Sequence, residues 1–309
     1  MPDGMAVNTR MREVTSEDYY NFILSNREVR IADLRVELVR AWNIASFQPS
    51  SFEVEGSTVW SFPDRGNWAT HIGNYRGNWS PLIPRNLIAK YTRPGDLICD
   101  SMVGSGTTLV ECKLLGRHAV GVDINPNAAM IAMNRLDFEY VQVDNRRINP
   151  KIKVFVGDAR RLDSVGTGTI DLVATHPPYA GIVPYSNADI PGDLSALRLD
   201  EFTVEIGKVA SECFRILKNG RYCAILIGDT RKHRHYIPIH IGVLGKFLDA
   251  GFILKEDIIK LQHETMSSRG RWNAPSYDFY KIAHEHLFVF RKPDKDDKLF
   301  DYRNSMHWW

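Results

Sequence analysis

Two short stretches bring together residue types that group-transfer chemistry needs. In DLVATHPPYAGIVPYS, Asp171 to Ser186, an apolar run ends at Thr175-His176 and meets two prolines and a tyrosine. Proline donates no backbone hydrogen bond, so a central strand must stop at Pro177-Pro178. The stop presents a rigid carbonyl, an imidazole and an aromatic face. In DSMVGSGTT, Asp100 to Thr108, an acid at the end of another apolar run is followed by glycines. Gly104 and Gly106 allow a tight turn, and the next helix offers its first amides to a ligand. Asp123 ends a further run in GVDINP, and Asp158 another in VGDA. In doubly wound folds an acid at the place of Asp123 binds ribose hydroxyls. The turn is not G-x-G-x-x-G and lacks the Lys of a phosphate loop. It suits a nucleoside-containing ligand without a triphosphate.

Periodicity gives the elements that must position these residues. DLICD, HAVGVDI, KVFVGD, IDLVATH, RYCAILIGD, ILKEDIIKL and HEHLFVFRK read as strands. The helices are SMVGSGTTLVECKLLG after its glycine turn, PNAAMIAMNRLDF, LDEFTVEIGKVASECFRILKNG and IPIHIGVLGKFLDAGF. Gly220 is expected to cap the third. Strands alternating with helices predict an α/β, doubly wound, mostly parallel seven-stranded sheet. The two last strands, with no helix between them, make one terminal strand antiparallel. The acids at successive strand ends then share the edge where open α/β sheets bind ligands. From Ser16, SEDYYNFILSNREVRIADLRVELVRAWNIASF carries apolar residues at helical spacing. Residues 1–60 are therefore expected to be an N-terminal helical extension and 61–293 a catalytic domain. Inserted loops fall at about 180–199 and 262–286, and residues 294–309 form a tail.

Composition narrows the class. The 309 residues are 44% hydrophobic and 25% charged, as in soluble globular enzymes. A net charge of +2 does not by itself imply a polyanionic partner. Cys99, Cys112, Cys213 and Cys223 form no C-x-x-C pair and sit in apolar patterns, so buried thiols are expected and no metal. No apolar run reaches membrane-spanning length, and MPDGMAVNTRMREV lacks the apolar segment of a signal peptide. A cytoplasmic protein is expected.

Together the two motifs resemble those of the S-adenosylmethionine-dependent DNA amino-methyltransferases, which modify adenine N6 or cytosine N4. DSMVGSGTT is similar to D-P-F-x-G-S-G-T-T, and HPPY to D/N/S-P-P-Y/F/W. GNWSPLIPRNLIAKYTRPGD resembles the segment before the glycine motif, and RILKNGRYCAILIGD and AHEHLFVFRK the later strands. The resemblance covers about residues 66–293. Ser101 and Met102 depart from the usual Pro and Phe, and His176 from Asp, Asn or Ser. The resemblance implies a Rossmann-like methyltransferase sheet and S-adenosylmethionine as cofactor. Its binding residues would be Asp100, Val103, Gly104, Ser105, Gly106, Thr107, Asp123, Ile124, Asp158 and Ala159, with Pro81 at the methionine end. It further implies a target base flipped out of double-stranded DNA. His176, Pro177, Pro178 and Tyr179 would form the catalytic turn: the Pro177 carbonyl accepts from the target amine and Tyr179 stacks on the base. His176 would be a second acceptor through a neutral ring nitrogen, or a base. ATHPPY is closest to the A-T-S-P-P-Y form of cytosine-N4 enzymes, which favours cytosine.

No large recognition domain follows the proline motif in this sequence, so loops, the N-terminal region, a second copy or a partner subunit would read the DNA. GDTRKHRHY supplies Arg231, Lys232 and Arg234. QHETMSSRGRWNAPSYDFYKIAHEH interleaves Arg269, Arg271 and Lys281 with Trp272, Tyr277, Phe279 and Tyr280. Cations for phosphates and aromatics for bases are the mixture nucleic-acid binding uses. Two further readings stay open: a methyltransferase of RNA bases or protein glutamine, and a cofactor- and nucleic-acid-binding subunit without catalysis.

Overall fold

The computed structural model of the chain describes residues 10–140, 149–179, 190–263 and 278–306. The N-terminal elements are β1 (Arg12–Glu13), α1 (Ser16–Ser25), β2 (Glu28–Ile31), β3 (Leu34–Glu37), β4 (Val59–Ser61) and α2 (Leu82–Tyr91). Then come β5 (Leu97–Asp100), α3 (Thr107–Leu115), β6 (His118–Asp123), α4 (Pro126–Leu136), β7 (Ile152–Val156) and β8 (Ile170–Thr175). The rest are α5 (Leu199–Ile216), β9 (Leu217–Ile227), β10 (Thr230–Lys232), β11 (His235–Ile237), α6 (Ile239–Asp249), β12 (Ile253–Leu261) and β13 (His284–Arg291).

The main sheet runs β1-β7-β6-β5-β8-β9-β13-β12-β4. Its middle strands are those read from the sequence. β7, β6, β5, β8 and β9 are parallel neighbours, and β13 runs antiparallel between β9 and β12. The expected seven strands become nine. β1 joins β7 antiparallel, and β4 joins β12 parallel. Each added strand is two or three residues long, too short to carry a periodic signal. Both occupy edges that would otherwise leave ladder groups unpaired.

The expected N-terminal helix is corrected too. α1 starts on a reciprocal cap, with Asp18 N–H donating to Thr15 Oγ1 (3.1 Å) and Thr15 N–H to Asp18 Oδ2 (2.9 Å). It ends at Ser25, and a hairpin pairs Val29 with Val36 and Ile31 with Leu34. Alternating burial at Val29, Ile31 and Val36 overrode the helical spacing, and Ala32 takes a left-handed φ of 51° at the turn. Gly220 is not a helix cap. α5 ends at Ile216, and Gly220 lies inside β9, where a Cβ would stand 2.8 Å from the Asp294 carboxylate.

Alternation along the central strands sends side chains to both faces. On one face Ile98, Leu172, Leu226 and Leu287 pack with Ile83, Leu87 and Ile131 of the helices. On the other Cys99, Val173, Ile225 and Phe288 pack with Phe202, Ile206 and Phe247. All four cysteines are buried and free. Among the described residues no helix is long and apolar enough to cross a membrane.

One carboxylate lies inside the helical layer. Glu111 of α3 accepts at Oε1 from Trp68 Nε1 (2.8 Å) and lies 2.8 Å from His71 Nε2. Its Oε2 accepts from Arg85 Nη1 of α2 (2.7 Å). The Arg85 guanidinium also sits 5.0 Å over Phe52 and 5.6 Å over Trp68. Burial lowers the His71 pKa below the usual imidazole value, against the pull of Glu111. Glu111→Ala should therefore strand Arg85, only 5% exposed, without its carboxylate. Breaking such a pair costs about 3–5 kcal/mol. Urea unfolding checks this; a loss under about 1 kcal/mol would remove Glu111 from the role of anchor.

Candidate active site

The C-terminal ends of β5, β6 and β8 meet at a cleft of about 850 Å³, counting the part open to solvent. That volume suits a nucleoside-sized molecule. β5 ends in Asp100, and the chain turns through Gly104 (φ 51°) and Gly106 (φ 84°) into α3. At Gly104 a Cβ would lie 3.1 Å from the Tyr75 ring, so glycine lets the roof of the cleft come down. Gly104 N–H donates to Asp123 Oδ2 (2.9 Å), and Asn125 N–H donates to Asp123 Oδ1 (2.9 Å). The glycine turn is thereby stapled to the end of β6. Asp100 accepts from the Thr108 hydroxyl and from Met102 N–H (3.2 Å).

Burial raises both acids. Asp100 is pushed up to about 6 by loss of hydration, with nearby Asp123 adding to it and the hydrogen bonds opposing. Asp123 is likewise pushed up to about 6 by burial, against the amides of Asn125 and Gly104. Each is a carboxylate that further hydrogen-bond donors would stabilise as an anion.

Residues 75–79 form the roof. Arg135 Nη2 donates to Asn74 Oδ1 (2.7 Å), Thr70 Oγ1 donates to Arg135 O (2.6 Å), and the Thr107 hydroxyl bonds Asn78. The opposite wall is Asp158, Ala159 and Gly192–Leu194. The Asp158 carboxylate is held by Arg160, with Nη2 at 2.6 Å and Nε at 2.9 and 3.0 Å. Arg160 also reaches Glu205 of α5 (2.5 Å) and the Gly192 carbonyl (3.0 Å). It clasps the end of β7, α5 and the wall segment together. Sequence reasoning missed this clasp and the 192–194 wall, because neither has a local pattern.

Asp100, Val103, Gly104, Ser105, Thr107, Asp123, Ile124, Asp158 and Ala159 all line the cleft. Gly106 and Pro81 do not. A Cβ at Gly106 would lie 3.1 Å from Ala132 Cα, so that glycine serves the packing of α4. Pro81 is buried at the start of α2, and Asn78 and Trp79 stand at the cleft instead.

All six residues of β8 are buried, and the strand delivers the proline turn to the same cleft. His176 and Pro178 line it, while Pro177 is buried. Trp79 stacks on the His176 ring at 5.8 Å between centroids, 23° from parallel. Burial lowers the His176 pKa; Glu285 pulls it up and Lys260 pushes it down. His176 Nε2 lies 3.0 Å from the Tyr179 hydroxyl, which donates to Glu285 Oε1 of β13 (2.6 Å). Lys260 of β12 donates to Glu285 Oε2 (2.9 Å). Tyr179 itself is set back from the cleft lining. Its ring packs on Gly228, where a Cβ would lie 3.0 Å away. Glu285 and Lys260 were missed; the available signal was a glutamate between two histidines just before the apolar run LFVF.

Of the expected nucleic-acid residues, Arg231 and Lys232 lie on β10, and Arg234 in the turn to β11. Arg231 is engaged within the protein: it sits 5.5 Å over Tyr236 and 4.9 Å over Phe279, and donates to Tyr280 O (2.7 Å). Lys232 and Arg234 are exposed. Asp229 anchors the hairpin, accepting from the Tyr236 hydroxyl and from His240 N–H at the start of α6 (3.0 Å). Asp229, His240 and His286 bring ligand-type atoms within 4.8 Å of one another. The two imidazoles stack with planes 5° apart, so their in-plane lone pairs run side by side instead of converging on an ion. Arg269, Arg271 and Trp272 lie outside the described residues.

The profile of a DNA methylase family matches residues 8–134 and 170–308. Among curated proteins, the type II methyltransferase M.Cfr9I of Citrobacter freundii is 35% identical over 86 residues, 28% of this chain and 27% of its own. The type II methyltransferase M.MjaII of Methanocaldococcus jannaschii is 37% identical over 65 residues, 21% of this chain and 12% of its own. The type II beta methyltransferase M.BslI of a Bacillus species is 27% identical over 177 residues, 50% of this chain and 18% of its own. The matched part is thus less than a third of each relative's length. A solved structure of a putative DNA modification methylase from Thermus thermophilus, complexed with S-adenosyl-L-methionine, is 26% identical with a TM-score of 0.34. That match covers 46% of this chain and 56% of the solved one.

The raised Asp100 pKa makes a stability statement. Its folded value of about 6 exceeds the ordinary value of 3.8, so its favourable contribution is complete at low pH and is lost as pH rises through about 6. Asp100→Asn, which cannot ionise, should gain on the parent between pH 5 and pH 8 by about 1.4 kcal/mol. Urea titrations of both proteins at the two pH values test this. A difference independent of pH would mean that Asp100 ionises as an ordinary carboxylate.

Proposed function

Because this chain belongs to the DNA methylase family, we propose that it transfers a methyl group from S-adenosylmethionine to an exocyclic amine of a flipped base in double-stranded DNA. The preferred target is cytosine N4 over adenine N6. One observation carries the reading: the glycine-turn cleft and the His-Pro-Pro turn share a single sheet edge, with His176 and Pro178 in the cleft wall.

The cleft fits the cofactor. Gly104 leaves no side chain between the turn and the Tyr75 roof, and Asp123 is a carboxylate whose ionised form needs further donors. Ribose hydroxyls would supply them. Ile124 and Ala159 would flank the purine, and the Asp100–Thr107 turn would take the methionine end. When bound, S-adenosylmethionine supplies an electrophilic methyl group.

The protein's share is placement and polarisation. The amine of a base is a poor nucleophile because its lone pair is shared with the ring. A carbonyl fixed between Pro177 and Pro178 accepts one N–H and holds the nitrogen in line. His176, kept neutral by burial, adds an acceptor without adding a positive charge beside the developing ammonium. Tyr179 stands beyond His176, set back from the cleft, with its hydroxyl bonded to Glu285. The choice of cytosine rests on the likeness of ATHPPY to the cytosine-N4 motif. The exposed Lys232 and Arg234 hairpin would meet DNA phosphates. A second copy or a separate subunit would complete target recognition.

DNA from a methylation-deficient host expressing the chain should yield N4-methylcytosine on digestion to nucleosides and mass spectrometry. The absence of both N4-methylcytosine and N6-methyladenine would overturn the reading. Asp123→Ala should weaken S-adenosylmethionine binding by about tenfold to a hundredfold in calorimetric titration, since it removes charge-assisted bonds. Replacing Lys232 and Arg234 together with Ala should flatten the slope of log K for DNA against log salt by about 2. Cofactor affinity should not change. An unaltered slope would take the hairpin off the DNA.

A further inference from the structure

The hydrogen bonds that start at His176 do not end at the proline turn. They continue through Tyr179 to Glu285 and Lys260, on two strands far along the chain. We propose that Glu285, held by Lys260, is a positioning residue that fixes neutral His176 with its proton on Nε2, so that Nδ1 is the acceptor the turn offers. This rests on the reading that His176 accepts from the target amine, and it adds which nitrogen does so and what decides it.

Tyr179 has one hydroxyl proton, and among the described residues its oxygen meets Glu285 Oε1 at 2.6 Å and His176 Nε2 at 3.0 Å. A short bond to a carboxylate is charge-assisted and takes the proton. The Tyr179 oxygen is then an acceptor toward His176, and Nε2 must carry the hydrogen. Nδ1 is left with a lone pair. It is buried and, among the described residues, has no partner at hydrogen-bond geometry, while the backbone of Gly77 close to the ring pulls the pKa up.

Lys260 is what keeps the carboxylate charged. The Glu285 and Lys260 side chains are 9% and 15% exposed, with Nζ 2.9 Å from Oε2. Burial alone would raise the Glu285 pKa, but the Lys260 charge, with the Tyr179 hydroxyl, works against it, and the pKa lies below the ordinary carboxylate range. The charges acting on His176 are Glu285 from β13 and Lys260 from β12, of opposite sign. The roof adds the Trp79 ring and the backbone of Gly77, and the turn adds Tyr179.

The opposite signs give a test that ordinary structural damage would not mimic. The full chain is labelled with ¹⁵N-histidine, its His176 signals are assigned with His176→Asn, and ring-nitrogen shifts are followed across pH. The parent should show His176 protonated at Nε2. Glu285→Gln should move its titration to lower pH, and Lys260→Met to higher pH. Tyr179→Phe, which removes the bridging oxygen, should abolish the preference for Nε2–H. A parent His176 protonated at Nδ1, or Glu285→Gln and Lys260→Met moving the midpoint in the same direction or not at all, would overturn the proposal. None of these readouts uses methylation. A parent that methylates DNA yet carries the Nδ1–H form sinks this inference alone, and a parent with the expected tautomer that methylates no base sinks the proposed reaction instead.

Discussion

The buried carboxylate of Glu111 is the constraint on which the cleft depends. A charge in the helical layer is tolerable only when donors surround it, and Trp68, His71 and Arg85 do so. Those donors come from the stretch that leads into the roof and from the helix that follows it. Satisfying Glu111 therefore fixes both ends of residues 72–84 relative to α3. Because α3 also begins at the glycine turn, roof and floor are referenced to one helix. Trp79 then lands on the His176 ring, which couples the roof to the proline turn.

The cleft draws its electrostatics from the same packing. Strands buried on both faces end in Asp100 and Asp123, and loss of water raises both acids. A bound molecule bringing hydroxyl or ammonium donors would recover part of that cost. His176 is shifted in the opposite sense by the same burial, toward the neutral ring. Desolvation thus leaves the edge rich in acceptors, with Arg160 committed to Asp158 and Glu205. Such an edge suits a cationic, nucleoside-bearing donor and an amine to be relieved of its protons.

The basic hairpin is organised differently. Arg231, the cation nearest the strand end, is spent on Tyr236, Phe279 and the Tyr280 carbonyl. It stiffens the hairpin against the segment that precedes β13. Lys232 and Arg234 stay exposed at the tip, where His233 and Arg234 both take positive φ in a tight turn. Counting cations in GDTRKHRHY does not separate these roles.

Local pattern was enough for the central strands, the glycine turn, the three acids and the proline stop. Each is set by a period of two, a glycine or a proline, which act over a few residues. The same locality explains the failures. The β2–β3 hairpin competed with a helical reading of overlapping apolar residues, and the two edge strands were too short to register. Gly106, Gly220 and Gly228 look alike in sequence, yet one meets a helix backbone, one a carboxylate and one the Tyr179 ring. What only the tertiary structure decided is the company of the motif residues. Glu285 stands 106 residues from Tyr179, and nothing in HEHLFVFRK names its partner until β13 inserts beside β9. A sequence fixes which groups can ionise or donate; where protons rest depends on distance and burial, which exist only once the sheet has closed around them.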